Sequence, residues 1–352
     1  MPTPTLDERL LEAATGTLEL FGVYLGTRLG LYRSLAERGR LTAPELAEAA
    51  GIHPRYAQEW LEQQAVAGFV AVDDPSRPAD ARRYRLPADH VGVFVDPEHP
   101  AHLAPFADAV VGVGKVLDEV VEAYRTGGGV PYSHYGPEFR RGQGGMNRPA
   151  FASDLTGSWL PAAGVTERLS RPGARIADVG CGHGWSTIAM ARAYPQAEVI
   201  GYDLDEASVA EARAHAEAAG VGVRFVQADA QAVAADGPFD LVVVLEALHD
   251  MARPVEGLAA WRKALADGGS VIVVDEKVAA TFTAPGDAIE RLMYGWSIAH
   301  CLPASLAEQP SAGLGTVLRE DDVRRLAAQA GFASTRVAEV DAGFFRVYRL
   351  EG

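Results

Sequence analysis

Residues 175–204 read RIADVGCGHGWSTIAMARAYPQAEVIGYDL, and the order of residue types along this stretch decides the fold. The run IADV is apolar and short enough for a buried strand, and it leads into three glycines at alternate positions, Gly180, Gly182 and Gly184. Glycine carries no Cβ, so the backbone there turns tightly and admits a ligand at close range. A helical stretch follows, then a second apolar run, EVIGYD, that closes on Asp203. Strand, glycine turn, helix and strand make one βαβ unit, with parallel strands and a ligand site at their carboxyl ends.

The alternation continues outward. VRFVQAD, FDLVVVL and SVIVVD are further short apolar runs separated by helical stretches. Over residues 152–352 this predicts an α/β domain: a Rossmann-like, doubly wound, mostly parallel sheet covered by helices. The tail differs, because RVAEV and FFRVYRL are separated only by a turn at Asp341, Ala342 and Gly343, which predicts an antiparallel carboxyl-terminal hairpin.

Upstream, residues 6–36 carry an apolar helical stripe that includes Leu10, Leu11, Leu18, Leu20, Phe21, Tyr24 and Leu25. Thr42, Pro44 and Glu45 signal a helix start and Gly51 its end; a second helix runs from about His53 to Ala67 and stops at Gly68. FVAVDDPSRPADARRYRL then reads as two strands around a Pro- and Asp-rich loop. Helix, helix and hairpin form a winged-helix pattern, and with a further helix over 101–126 they give a mainly α amino-terminal domain, residues 1–126. Residues 127–151 form a Gly- and Pro-rich linker whose composition argues against long regular elements. It interleaves Tyr132, His134, Tyr135, Phe139 and Asn147, either as an active-site cover or as packing between domains.

The 352 residues carry a net charge of −15, which repels a polyphosphate backbone, and the second helix of the winged pattern sets Glu59 and Glu62 beside Arg55. No nucleic-acid partner is expected. No apolar run reaches the roughly 20 residues of a membrane span, and the opening MPTPTLDERL is polar and acidic; no membrane partner and a cytoplasmic location are expected. Cys181 and Cys301 lack the paired spacing of a zinc site or disulfide framework, so no metal is expected.

The glycine spacing departs from GxGxxG, and Asp178 beside it suits a cation better than a pyrophosphate. Asp203 ends the second strand, where a carboxylate accepts both ribose hydroxyls. Asp229 ends the third, where an adenine amino group would arrive. A cationic nucleoside, S-adenosylmethionine, satisfies all three acids, with Leu204, Ala230 and Glu246 in the same cofactor set. The next strand ends in LEALHDM, which places Glu246, His249 and Asp250 in the crevice beside the first strand. A histidine there suits removal of a proton from a methyl acceptor; the other reading is a ring that only hydrogen-bonds cofactor or loop. Of Asp275 and Glu276 at the end of the following strand, alternation lets one face the crevice, and Asp275 is favoured. Tyr294, Trp296, His300 and Cys301 share one helical stretch that suits a lid. With Tyr135 and Glu276, Tyr294 and His300 make the candidate acceptor-binding set.

DVGCGHG, GYDLD and QADA resemble the cofactor motifs of class I S-adenosylmethionine-dependent methyltransferases, over about residues 175–275. The resemblance implies that Gly180 and Gly182 hold the methionine end, Asp203 the ribose and Asp229 the adenine. LHD resembles small-molecule O-methyltransferases, which implies His249 as base and an orienting acid, best matched by Asp275. The residues after Asp250 are Met251, Ala252, Arg253 and Pro254, not the Trp-containing run of plant-like members. LTAPELAEAAGIHPRYAQEWLEQQAVAGF, ERLMYGWS, HCLP and PSAGLGTV are similar to segments of actinobacterial methyltransferases with an amino-terminal winged-helix domain, and that layout implies a homodimer built through the amino-terminal helices. The expected activity is methylation of a small molecule, foremost on oxygen, with nitrogen, sulfur and carbon open. A cyclisation or elimination catalyst on the same fold, and a cofactor-sensing winged-helix regulator, are the alternatives.

Overall fold

The computed structural model describes residues 4–352; of the expected amino-terminal domain, residues 1–3 lie outside the described residues. The chain divides into two compact units, one of residues 1–112 and 141–149, the other of 113–140 and 150–352. The expected boundaries at 126 and 151 therefore move: most of the linker belongs to the second unit, and a short piece of it to the first.

In the first unit the helical stretch expected over 6–36 is two helices, Leu6–Arg28 and Leu31–Arg38, because Gly30 takes a left-handed conformation (φ 67°) between them. Thr42 caps the helix Ala43–Ala50 in the expected box, its N–H donating to Glu45 Oε2 (2.7 Å) and its hydroxyl accepting the Glu45 amide (3.4 Å). The helix Pro54–Val66 follows, and then two strands of two residues each, β1 (Ala71–Val72) and β2 (Tyr84–Arg85), pair antiparallel. Trp60 and Tyr32 pack where Gly26 leaves room on the first helix, and Trp60 Nε1 donates to the Gly22 carbonyl (2.8 Å). Arg40, Arg55, Arg82 and Arg83 each pair with a carboxylate, of Asp73, Glu59, Glu62 and Glu45 respectively. The outer face of the first helix carries Leu6, Leu10, Leu11 and Leu18, each about two-thirds exposed or more.

The helix expected over 101–126 is also two, Pro105–Lys115 and Leu117–Thr126. The linker departs furthest from expectation, since Gly136–Ala150 is a helix of 15 residues that runs on into a π-helix, Phe151–Trp159. Glycine weakens a helix by about 1 kcal/mol relative to alanine, but packing overrides that cost here. A Cβ on Gly142 would lie 2.4 Å from the Ala109 amide nitrogen, and one on Gly145 2.7 Å from the Pro105 ring. The glycines are the contact surface.

The second unit is built on a seven-stranded sheet: β3 (Arg175–Val179), β4 (Glu198–Asp203), β5 (Arg224–Gln227), β6 (Phe239–Leu245), β7 (Leu265–Glu276), β8 (Ser334–Val337) and β9 (Phe345–Glu351), in the order β5-β4-β3-β6-β7-β9-β8. The first five in sequence are parallel, and β9 and β8 close the edge antiparallel. Runs such as Val242–Val244 and Val271–Val274 are buried because helices cover both sheet faces. Val179 pairs with Tyr202 on one side and Val244 on the other, so the chain order reverses at β3 and its carboxyl end opens into a crevice beside β6. Among the described residues no helix is long and apolar enough to cross a membrane.

Gly142→Val forces side-chain atoms into the Ala109 backbone and should cost about 1–3 kcal/mol of stability, read as a lower midpoint in thermal denaturation. An unchanged midpoint would contradict the close packing assigned to this helix.

Candidate active site

The glycine turn after β3 is held by backbone hydrogen bonds. The amides of Gly180 and Cys181 donate to the Tyr202 carbonyl (2.8 and 3.1 Å), and the Gly184 amide closes on the Cys181 carbonyl (2.8 Å). Gly180 has φ 74°, and a Cβ there would lie 2.6 Å from the Ala247 Cβ, so the segment after β6 packs directly on this turn. A Cβ on Gly182 (φ 49°) would meet nothing within 4 Å: its backbone faces open space, as a ligand cradle requires.

Asp203 joins β4 to that cradle. Its Oδ2 accepts the Gly182 amide (2.8 Å) and its Oδ1 the Asp205 amide (2.9 Å); burial pushes the carboxyl up while these amides pull it down. Leu204 is exposed beside it. Asp229 is exposed past the end of β5, its Oδ1 accepting the amides of Gln231 and Ala232 (2.8 and 3.0 Å), and the Ala230 carbonyl accepts Trp261 Nε1–H (2.7 Å). Asp178, expected beside a cation, also has a structural role in the core. It is buried, with Oδ2 accepting the hydroxyls of Ser186 and Thr187 (both 2.6 Å), and burial pushes its carboxyl up to about 6 against those hydrogen bonds. It staples β3 to the helix Trp185–Ala193.

Beyond β6 the chain turns through Glu246, whose φ of 52° is the one left-handed non-glycine conformation among the described residues. Its amide still donates to the Val274 carbonyl (2.8 Å), so the strained residue holds the turn to β7. A short 3₁₀ turn, Leu248–Asp250, then buries His249. His249 Nδ1 lies 2.8 Å from Asp275 Oδ1 and 3.3 Å from Glu276 Oε2, and Nε2 lies 3.4 Å from Asp250 Oδ1. The expectation that only one of Asp275 and Glu276 reaches the crevice is corrected. Asp275 Oδ1 also accepts the Glu276 amide (3.1 Å), so its carboxylate folds toward the strand end, and the longer Glu276 reaches the same imidazole.

Burial pulls His249 down, but Asp275, Glu276 and Asp250 together outweigh it and hold the ring well above its ordinary value. Burial works to raise Asp275, yet the imidazolium and hydrogen bonding with Glu276 bring it below the usual carboxylate range. Burial, reinforced by Asp275, pushes Glu276 well above that range despite His249. One imidazolium, one carboxylate and one carboxylic acid is the charge state this geometry favours.

The helix Ala288–Trp296 runs into a π-helix, Ser297–Cys301, that brings His300 and Cys301 to the same place. The Cys301 sulfur joins His249 and Asp250 in a cluster whose donor atoms lie within 4.8 Å of one another; His249, Asp275 and Glu276 form a second such cluster. Burial, with Asp250, pushes the Cys301 thiol up to about 12. His300 is neutral, lowered to about 3 by burial and by the charge of His249. Its ring stacks on Phe139 (4.0 Å between centroids) and meets Tyr135 edge-on (4.6 Å) and Tyr132 edge-on (5.8 Å). Tyr135 donates its hydroxyl to the Ala299 carbonyl (3.0 Å), fixing the linker against the π-helix.

Of the expected acceptor set, Tyr135, His300 and Glu276 come together around His249. Tyr294 does not: it is exposed, beside Phe282, with its hydroxyl 3.5 Å from the Arg319 guanidinium. Sequence reasoning missed the approach of Cys301 to His249, for which no local spacing exists. It also missed Arg140, which pairs with Asp205 (3.6 Å) beside the Asp203 carboxylate.

Residues 176–269 match a family of methyltransferase domains and residues 17–95 the Rv2258c-like winged HTH domain. Among curated proteins, the ubiquinone biosynthesis O-methyltransferase of Roseobacter denitrificans is 40% identical over 98 residues, 28% of this chain and 39% of that protein. That of Stutzerimonas stutzeri is 35% identical over 109 residues, 30% and 46%. The chain thus spans less than half the length of these relatives. Among solved structures, a putative O-methyltransferase from Nostoc punctiforme aligns over 100% of both chains (TM-score 0.71, 19% identity). Human N-acetylserotonin methyltransferase in complex with S-adenosylmethionine aligns over 100% of this chain and 99% of its own (TM-score 0.72, 17% identity). At these identities the likeness is one of fold.

In the ligand-free protein at neutral pH, ¹⁵N-edited NMR should find both His249 ring nitrogens protonated, and Asp275→Asn should move the titration to lower pH. Because the folded-state value is raised, the stabilisation from charged His249 is complete below about pH 6.5 and is lost as pH rises through the folded value. A neutral ring at neutral pH would overturn the assignment.

Proposed function

We propose, for a chain in which residues 176–269 are a methyltransferase domain and residues 17–95 an Rv2258c-like winged helix–turn–helix domain, that it transfers the methyl group of S-adenosylmethionine to an oxygen of a small-molecule acceptor. The observation that carries this reading is the His249–Asp275 pair at the carboxyl end of β6 and β7, on a segment packed against the glycine turn of β3. The human N-acetylserotonin methyltransferase of similar fold was solved in complex with S-adenosylmethionine, and the curated relatives are named as O-methyltransferases; the first supports the cofactor and the second the acceptor atom.

When bound, S-adenosylmethionine supplies an electrophilic methyl group on a sulfonium. The open backbone at Gly182 and the turn through Gly180 and Gly184 receive its methionine end. Asp203 accepts the ribose hydroxyls, and Leu204, Asp229 and Ala230 flank the adenine. Glu246 fixes the turn beside the cradle, and Asp178 supports the cradle from within the core. Asp275 accepts His249 Nδ1–H, so Nε2 is the atom that takes the acceptor's proton. His300, Phe139 and Tyr135 form a buried aromatic stack that backs the acceptor side of the site.

The apolar outer face of Leu6–Arg28 supports a homodimer, with a second copy covering leucines that this chain leaves exposed. The paired arginines of the winged-helix domain do not favour nucleic acid, and the reading suits an enzyme working in the cytoplasm on secondary metabolites.

Calorimetry should detect S-adenosylhomocysteine binding, weakened roughly 10- to 100-fold in Asp203→Ala, as the loss of hydrogen bonds from a charged acceptor predicts. His249→Ala should retain that binding and lose about 10²- to 10⁴-fold in labelled-methyl transfer to a panel of phenols. Wild-type binding in the first variant, or wild-type turnover in the second, would remove the corresponding role. Lysine at both Leu10 and Leu18 should turn dimers into monomers in light scattering; an unaltered mass would exclude this helix as the interface.

A further inference from the structure

A histidine that already carries its proton cannot accept another, and the three carboxyl groups that converge on His249 within 3.4 Å favour that form in the ligand-free site. The proposed base is therefore inactive in the empty protein, and something that enters the site must remove the proton. The groups facing the ring are acidic. Asp275 and Glu276 approach Nδ1 from β7 (2.8 and 3.3 Å), and Asp250 approaches Nε2 from its own turn (3.4 Å). Glu246 at the end of β6 adds to the field at Glu276. Cys301 and His300 come from the π-helix and are held neutral by burial; farther out, Tyr132 lies in the field of Asp250 and Tyr348 in that of Asp275, and burial raises both phenols. Arg346, opposite Asp275 on β9, sends its guanidinium to the Val278 carbonyl (3.3 Å) and toward Glu320 (3.9 Å), and among the described residues Asp250, Asp275 and Glu276 have His249 as their ion-pair partner and no Lys or Arg. The charge of the ring is set by carboxylates alone until a ligand arrives.

The position of the turn decides which ligand matters. Ala247 abuts Gly180 so closely that a Cβ there would come within 2.6 Å, and β3 and β6 are adjacent parallel strands. His249 and the cradle therefore face one crevice. Resting on the methyltransferase reading of this site, we propose that the positive charge of the bound cofactor switches His249 from acid to base: the proton it holds among Asp275, Glu276 and Asp250 leaves to solvent when the cationic cofactor occupies the cradle. A like charge within about 4–6 Å disfavours an imidazolium by factors of roughly ten to a thousand. The freed Nε2 then takes the acceptor's hydroxyl proton as the methyl–sulfur bond breaks and the methyl–oxygen bond forms. The sulfonium becomes a neutral thioether, and His249 is again an imidazolium beside an uncharged product. One proton is released per turnover, at cofactor exchange instead of at acceptor departure. Asp275, the carboxylate nearest the ring (2.8 Å from Nδ1), sets how firmly the proton is held before exchange.

The test is calorimetric titration of the full-length protein at one pH, in buffers of different ionisation enthalpy, with S-adenosylmethionine, S-adenosylhomocysteine and an analogue bearing an ammonium in place of the methylsulfonium. The two cations should release about one proton per site, and S-adenosylhomocysteine none, with cation affinity rising about tenfold per pH unit while His249 is charged. His249→Asn should bind all three without release, and Asp275→Asn, which removes the carboxylate 2.8 Å from Nδ1, should lower the number released. Equal release by charged and uncharged ligands, in the wild type alone, overturns the proposal whatever the variants do. Failure to bind any of the three instead removes the methyltransferase reading on which it rests.

Discussion

Strands β3 and β6 lie side by side and parallel although two strand–helix units separate them in the chain. Each of their carboxyl ends must then leave the sheet without colliding with the other, and two unusual conformations result. The chain after β3 turns on glycines with positive φ, and the chain after β6 turns on Glu246 with φ 52°. A glutamate in that region costs of order 1–3 kcal/mol, and the bond from its amide to the Val274 carbonyl helps to hold it. The reward is proximity: one segment opens its backbone to a ligand while its neighbour presents an imidazole to the same crevice.

That imidazole is the centre of an electrostatic problem. Asp275, Glu276 and Asp250 converge on His249, and an uncompensated buried charge costs several kcal/mol. Protonating His249 and Glu276 brings the four groups to a net charge of about −1. Apolar and aromatic neighbours such as Phe139 and the neutral His300 stack lower the local dielectric and sharpen each of these preferences. A base tuned only by such neighbours is too firmly protonated for work near neutrality. A base tuned for a site that also contains a fixed positive charge is not, because the cation offsets the carboxylates. The acidity around His249 is in this sense matched to the loaded site.

The parts legible in the sequence were those whose physics is local. The glycine turn, the strand-end acids Asp203 and Asp229, the Thr42 cap and the parallel sheet with an antiparallel edge all follow from short-range spacing. What failed did so where distant segments meet. The Gly136–Ala150 helix looked like a broken linker because glycine disfavours helices, whereas Gly142 and Gly145 exist to let Ala109 and Pro105 come close. The place of Asp178 beside the glycines suggested a cofactor ligand and did not show that Ser186 and Thr187 both bond to its Oδ2. Alternation set Asp275 against Glu276 because it treats side chains as short, and a strand end allows a long one to swing round. Tyr294 shares a helix with His300 yet leaves on another side, as six residues at helical pitch require.

The division of the chain carries a last consequence for the site. Tyr132, Tyr135 and Phe139 precede the sheet in sequence, yet they belong to the same compact unit as His300. Arg140, next in line, pairs with Asp205 two residues beyond the proposed ribose acid. A catalytic fragment cut at residue 152, where the strand and helix alternation begins, would keep every cofactor motif and lose part of the aromatic stack together with that ion pair. The cofactor motifs are confined to the sheet domain, but the proposed acceptor surface draws on the segment ahead of it. Selection for a new acceptor can therefore act on 127–140 and on the π-helix without touching the cradle, which is how one cofactor site serves many acceptors.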